Sequence, residues 1–240
     1  MTARLALIAL PVFFGGAGTQ PAASTPPMRV LIPAGPFTRG STHGADDERP
    51  VRVTTLPAFH IDRTEVTRGM YARCVAAHRC APLSRDSIDL SSEPEVPVTD
   101  VTWHEARAYC AFAGARLPSE SEWEKAARGS DGREFPWGND VDCGRANWGN
   151  FENEGPCAGK APGKPVVVGS YPRGSSPFGV LDMAGNVWEW VADKYDRDPS
   201  RRVVRGGSCC SYFVEPRAAN RNAWDPNHRD GDLGFRCVSR

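Results

Sequence analysis

The sequence predicts an α+β fold in which ordered loops outweigh regular structure. Three observations carry that expectation. Gly and Pro supply 24 and 21 of the 240 residues without any period, which suits folded loops rather than collagen or a disordered tail. Short runs of alternating apolar and polar residues near the N-terminus read as antiparallel strands. Two capping boxes further along announce helices.

Taken in order, the chain opens with a segment of secretory-signal type at residues 1–23. Arg4 gives positive charge, Leu5 to Phe14 is apolar, and Ala17-Gly18-Thr19 or Pro21-Ala22-Ala23 offers small residues for cleavage. The apolar run falls short of the roughly 20 residues needed to span a bilayer, and no other stretch is long enough, so no membrane span is expected in the mature chain. Residues 24–28, with Thr25-Pro26-Pro27, form a linker, and residues 29–240 form one domain. The expected location is secreted or periplasmic. Export also suits eight cysteines, an even number that can pair in an oxidising compartment.

Met28 to Ile32 reads as a strand entering a turn at Pro33-Ala34-Gly35, Val51 to Leu56 as a half-buried strand, and Phe59 to Asp62 as another. Thr67 to His78 carries Met70, Tyr71, Cys74 and Val75 at helical spacing, and a Cys74–Cys80 bond can staple its end. Thr102 with Glu105 starts a second helix that stops at Gly114. Ser119 with Glu122 starts a third that buries Trp123 and stops at Gly129. Beyond it come turns and brief apolar runs at 166–168, 187–191 and 203–204.

Lys+Arg and Asp+Glu balance at 29 each, so no global field draws the chain to nucleic acid or an anionic membrane. The five histidines, His43, His60, His78, His104 and His228, are scattered, and no Cys-x-x-Cys occurs, so zinc is not expected.

Several strings occur in a set order: Pro33-Ala34-Gly35-Pro36-Phe37, Glu65-Val66-Thr67, Pro97-Val98-Thr99, Arg116 to Glu124, Trp137-Gly138, Asp182 to Trp190, Arg205-Gly206-Gly207-Ser208 and Gly234-Phe235-Arg236-Cys237. This series resembles the formylglycine-generating-enzyme, or sulfatase-modifying-factor, family from about Arg29 onward. The resemblance implies a loop-rich, asymmetric fold of C-type-lectin-like shape with a small antiparallel sheet and few short helices. In well-known members, a buried cysteine pair binds copper and uses dioxygen to oxidise a sulfatase cysteine to formylglycine. Other members act on histidine derivatives with iron or serve as binding surfaces, so fold alone leaves function open.

The resemblance also assigns sites. Asp182, Gly185, Val187 and Glu189 match a structural calcium loop, with two side-chain and two carbonyl oxygens, and Asn186 shapes its turn. Read without the family, Gly185-Asn186 is a plain turn beside core tryptophans. Asn147 and Trp148 match the start of a second calcium site, to which a Cys143–Cys157 clip is the equal alternative. Cys110 and Cys237 match a family disulfide across a long loop, worth about 4 to 5 kcal/mol in the chain-entropy model.

Cys209 and Cys210 follow Ser208 into the family's active-site region and are the candidate catalytic residues with it. Their spacing departs from the family, whose cysteines would fall at Ser211 and Pro216. In an extended chain the two side chains diverge, leaving thiols, a vicinal disulfide or altered redox chemistry open. The final loop, Tyr212 to Asp232, is rich in aromatic, amide and Arg residues, and Trp188, Arg217, Arg221 and Trp224 are its candidate binding rim. Taken singly, Arg217, Arg221 and Arg236 read as internal partners of acidic loops. Two functions follow: a calcium-stabilised binding or accessory domain for a protein or peptide, such as a sulfatase, or a copper-dependent oxidase with a rearranged site.

Overall fold

The computed structural model describes residues 28–83, 90–149, 157, 159, 160, 162–210 and 216–240. The signal-type segment, nearly all of the linker, Ser211, Tyr212 and Phe213 lie outside the described residues.

The chain is α+β, with three α-helices and small sheets among the described residues. Strand β1 (Arg29–Ile32) pairs antiparallel with β4 (Phe59–Asp62), which pairs in turn with β9 (Val238–Ser239). Strands β2 (Gly35–Arg39) and β3 (Arg52–Leu56) form a separate two-stranded ribbon. The third sheet has the order β7-β6-β5-β8, from β5 (Trp188–Tyr195), β6 (Asp198–Arg205), β7 (Arg221–Trp224) and β8 (Leu233–Phe235). Its β5–β8 pair is parallel, beside the antiparallel pairs of the other strands. The apolar run at 166–168 lies outside the named strands.

Helices α1 (Arg68–Ala76), α2 (Trp103–Phe112) and α3 (Glu120–Arg128) follow their N-caps Thr67, Thr102 and Ser119. The boxes close reciprocally: Glu105 N–H donates to Thr102 Oγ1 at 3.2 Å, and Ser119 N–H donates to Glu122 Oε2 at 2.7 Å. Each such cap is worth about 1 kcal/mol. Gly129 ends α3 at φ +73°, a conformation that glycine adopts without Cβ strain.

On β3, Val53 is 73% exposed, while Thr54 and Leu56 are half-buried. The ribbon buries the β2 residue Phe37 instead. Two packed clusters form the main core: Tyr71, Trp103, Tyr109, Trp190 and Phe235 in one, and Ile61, Trp123, Met183 and Val203 in the other. Indole N–H groups tie them to the long strands, because Trp190 Nε1 donates to Val101 O at 2.9 Å and Trp103 Nε1 to Val191 O at 2.8 Å.

A buried ionic row fixes α3 under β6. Arg205, 1% exposed, donates to Glu120 at 3.0 Å and to Glu124 at 2.9 Å, while Arg128 donates to Glu124 at 3.0 Å. Charges removed from water need such partners, and these set the height at which β6 ends. Among the described residues no helix is long and apolar enough to cross a membrane.

Candidate functional site

Strand β6 ends in two glycines with positive φ, Gly206 at +96° and Gly207 at +70°. A Cβ on Gly206 would sit 3.2 Å from the Trp123 ring, and one on Gly207 3.3 Å from Pro216 Cβ. The chain therefore turns tightly between α3 and the final loop, and the turn delivers Ser208, Cys209 and Cys210. Ser208 Oγ donates to the Asp232 carboxylate and accepts the Cys210 N–H at 3.1 Å. Cys209 N–H donates to Asn186 O at 3.1 Å.

That turn corrects the divergence expected of an extended Cys-Cys segment. The two sulfurs converge to 2.6 Å, with Cys209 fully buried and Cys210 half-buried. Cys210 Sγ also lies 3.3 Å from Gly163 O. Contact with Cys210 and burial push the Cys209 thiol far up, while the same contact lowers Cys210. Burial raises the Asp232 carboxyl, against the hydrogen bond from Ser208, and neighbouring Asp230 raises it further.

Beneath this turn the two expected calcium segments dock on each other. Asn186 N–H donates to Asn147 O at 2.8 Å, Asn147 Nδ2 donates to Asn186 Oδ1 at 3.1 Å, and Asn186 Nδ2 donates to Glu65 Oε1 at 3.0 Å. Asp182 Oδ2 accepts the Gly169 N–H at 2.6 Å. Burial and the nearby Asp182 raise Glu65 well above the ordinary carboxyl range. Glu65 Oε2 is buried with no hydrogen-bond partner among the described residues, and burial raises the neighbouring Asp182 carboxyl as well.

The residues fit a cation unevenly. Asn147 Oδ1 is buried and accepts no hydrogen bond among the described residues, which suits a hard, oxygen-seeking ion beside Trp148. Glu189 departs from its expected place as a free ligand. Its Oε1 takes Arg236 Nη2 at 2.7 Å, and its Oε2 takes Arg236 Nε at 2.7 Å and Trp123 Nε1 at 2.9 Å. An internal guanidinium neutralises it. Burial pulls Arg236 down, but facing Glu189 outweighs this and its pKa is raised. Among the described residues no group of three or more His, Cys, Asp or Glu is arranged to hold a metal.

The rim expectation also changes. Arg217 forms a forked pair with Glu48 at 2.7 and 2.6 Å, and Arg221 pairs with Glu120 at 2.8 Å and Asp196 at 3.0 Å. Buried carboxylates draw both guanidiniums inward, so the internal reading of these arginines holds. Trp188 is buried and meets Trp224 edge-on at 5.8 Å. Trp224 is half-buried, packs edge-on against Trp190 at 6.3 Å and lies 5.2 Å from His228.

The three expected disulfides are present: Cys74–Cys80, Cys110–Cys237 and Cys143–Cys157. Glu65 and Asp232 lie in the candidate site and carried no role in the sequence reading. Glu65 lay within a quoted family string, whereas Asp232 gave no signal beyond an acid before a short strand.

The fold and site define a loop-built α+β domain with a buried polar cluster beside a Cys-Cys turn. A family model described as "Sulfatase-modifying factor enzyme 1-like domain" matches residues 14–240, and the chain belongs to this formylglycine-generating-enzyme family. It is 40% identical to "Inactive C-alpha-formylglycine-generating enzyme 2" of Bos taurus, over 88% of this chain and 87% of that one. It is 32% identical to the "Formylglycine-generating enzyme" of Streptomyces coelicolor, over 88% of each. A 35% match to "Serine/threonine-protein kinase Pkn1" of Chlamydia trachomatis takes in 87% of this chain but spans only 38% of the kinase. Among solved structures, PvdO from Pseudomonas aeruginosa superposes with a TM-score of 0.70 at 26% identity, over 90% of this chain and 99% of that one.

Proposed function

We propose that the chain is an exported, calcium-stabilised binding or accessory domain of the formylglycine-generating type, without the family's usual catalytic pair. The observation that carries this reading is the convergence of Cys209 and Cys210 on each other at 2.6 Å. Two thiolates holding one Cu(I) in a line stand on opposite sides of the ion, and sulfurs this close have no room between them. Ser211 and Pro216 fill the positions where the family's cysteines fall, and neither a hydroxyl nor a pyrrolidine ring replaces a soft sulfur ligand. The likeness to an inactive bovine relative supports the same direction. The partner is a protein or peptide, with a sulfatase as the first to test. Calcium is assigned a structural role, supported by the buried, unpartnered Asn147 Oδ1.

A copper-dependent oxidase with a rearranged site is the second reading. The location of the pair directly after Ser208, beneath the final loop, favours it. Copper-loaded protein mixed in air with a Cys-x-Pro-x-Arg peptide decides between the two. The accessory-domain reading expects no aldehyde product above a copper-only control. Turnover that disappears in Cys209→Ser or Cys210→Ser overturns it.

A further inference from the structure

The geometry points to a thiol–disulfide exchange site at Cys209 and Cys210, in which Cys210 attacks, Cys209 resolves, and the substrate is a low-molecular-weight disulfide. This inference stands apart from the accessory-domain reading, because it needs neither copper nor a protein partner.

The sulfurs are already in contact, so closing a bond between them needs only a small local movement. Their exposures divide the roles. Cys209 is wholly buried, while Cys210 is half-buried, so an incoming disulfide reaches Cys210 alone. The backbone around the pair is pinned on both sides: Cys209 N–H is held by Asn186 O, and Cys210 N–H by Ser208 Oγ. The other six cysteines are all disulfide-bonded, which leaves this pair as the chain's only two thiols.

The exchange balances as follows. Cys210 thiolate attacks one sulfur of the substrate, forms a mixed disulfide and expels the first thiolate. The Cys209 thiol then attacks Cys210 Sγ, its proton passing to the expelled thiolate, and releases the second substrate thiolate. Two protein thiols are oxidised to a vicinal disulfide, and one external disulfide is reduced to two thiols. The reverse sequence oxidises an external thiol pair.

Full-length protein equilibrated in glutathione buffers of stepped redox poise, acid-quenched and alkylated, reads this directly. Trypsin releases Gly206 to Arg217, a peptide that holds both cysteines and no other. Its unalkylated form should lose two hydrogen masses in one two-electron step as the buffer becomes more oxidising. Cys209→Ser should accumulate a glutathione mixed disulfide on Cys210, and Cys210→Ser should stay at background. Should either variant fail to fold, limiting alkylation of the reduced wild-type protein must label Cys210 before Cys209. Alkylation of both sulfurs at every poise, equal trapping in both variants, or labelling of Cys209 first overturns the proposal.

Discussion

Arg236 lies fully buried against Glu189, donating from Nη2 and Nε to opposite carboxylate oxygens at 2.7 Å each. The pair joins β5 to the strand-end that follows β8. Replacing one member by a neutral residue strands the other charge in the core. Arg236→Met should therefore cost about 3 to 5 kcal/mol of stability. The double variant Arg236→Met with Glu189→Gln should regain part of that loss in urea unfolding, since no lone charge remains. An equal loss in single and double variants refutes the account.

Calcium should raise the melting temperature, and chelator should lower it. An ion at 100 times its dissociation constant adds about 2.7 kcal/mol when it binds only the folded chain. Asn147→Ala should remove the response, because it deletes the buried oxygen that has no protein donor. A full calcium response in that variant, read by differential scanning fluorimetry, assigns the ion elsewhere.

Glu65 makes stability fall as pH rises. Burial holds its folded pKa well above the ordinary glutamate value of 4.5, so the folded chain holds a proton that the unfolded chain has released. That stabilisation is complete below pH 4.5 and is lost as pH climbs through the folded pKa, with a limiting slope of about 1.4 kcal/mol per pH unit. Glu65→Gln keeps an acceptor for Asn186 and cannot ionise. In chelator, it should flatten this fall and be the more stable form at alkaline pH.

Peptide mapping without reduction should recover a Cys110–Cys237 cross-link, which spans 127 residues. Removing it through paired alanine substitutions should cost about 2 to 5 kcal/mol. Finding Cys110 alkylated in unreduced protein contradicts the assignment.

What the sequence discloses follows from the range of each interaction. Helices α2 and α3 were legible because Thr102 with Glu105 and Ser119 with Glu122 act within one turn. Strands β7, β8 and β9 were not, since runs of two to four residues carry no readable period and depend on partners far along the chain. Arg217 and Arg221 were placed on a rim by composition, yet Glu48 lies 169 residues from Arg217 and Glu120 lies 101 from Arg221. Glu189 was assigned by motif position, which says nothing of the guanidinium that approaches from 47 residues away. The meeting of Cys209 and Cys210 depends on the local turn, and two adjacent letters do not record a dihedral angle.

Strand β9 lends the first sheet a direction in time. Ile61 pairs with Val238, and Arg116 exchanges both backbone hydrogen bonds with that same valine. A ribosome delivers Ile61 long before Val238, so the earliest-made sheet waits unfinished until synthesis has passed Val238.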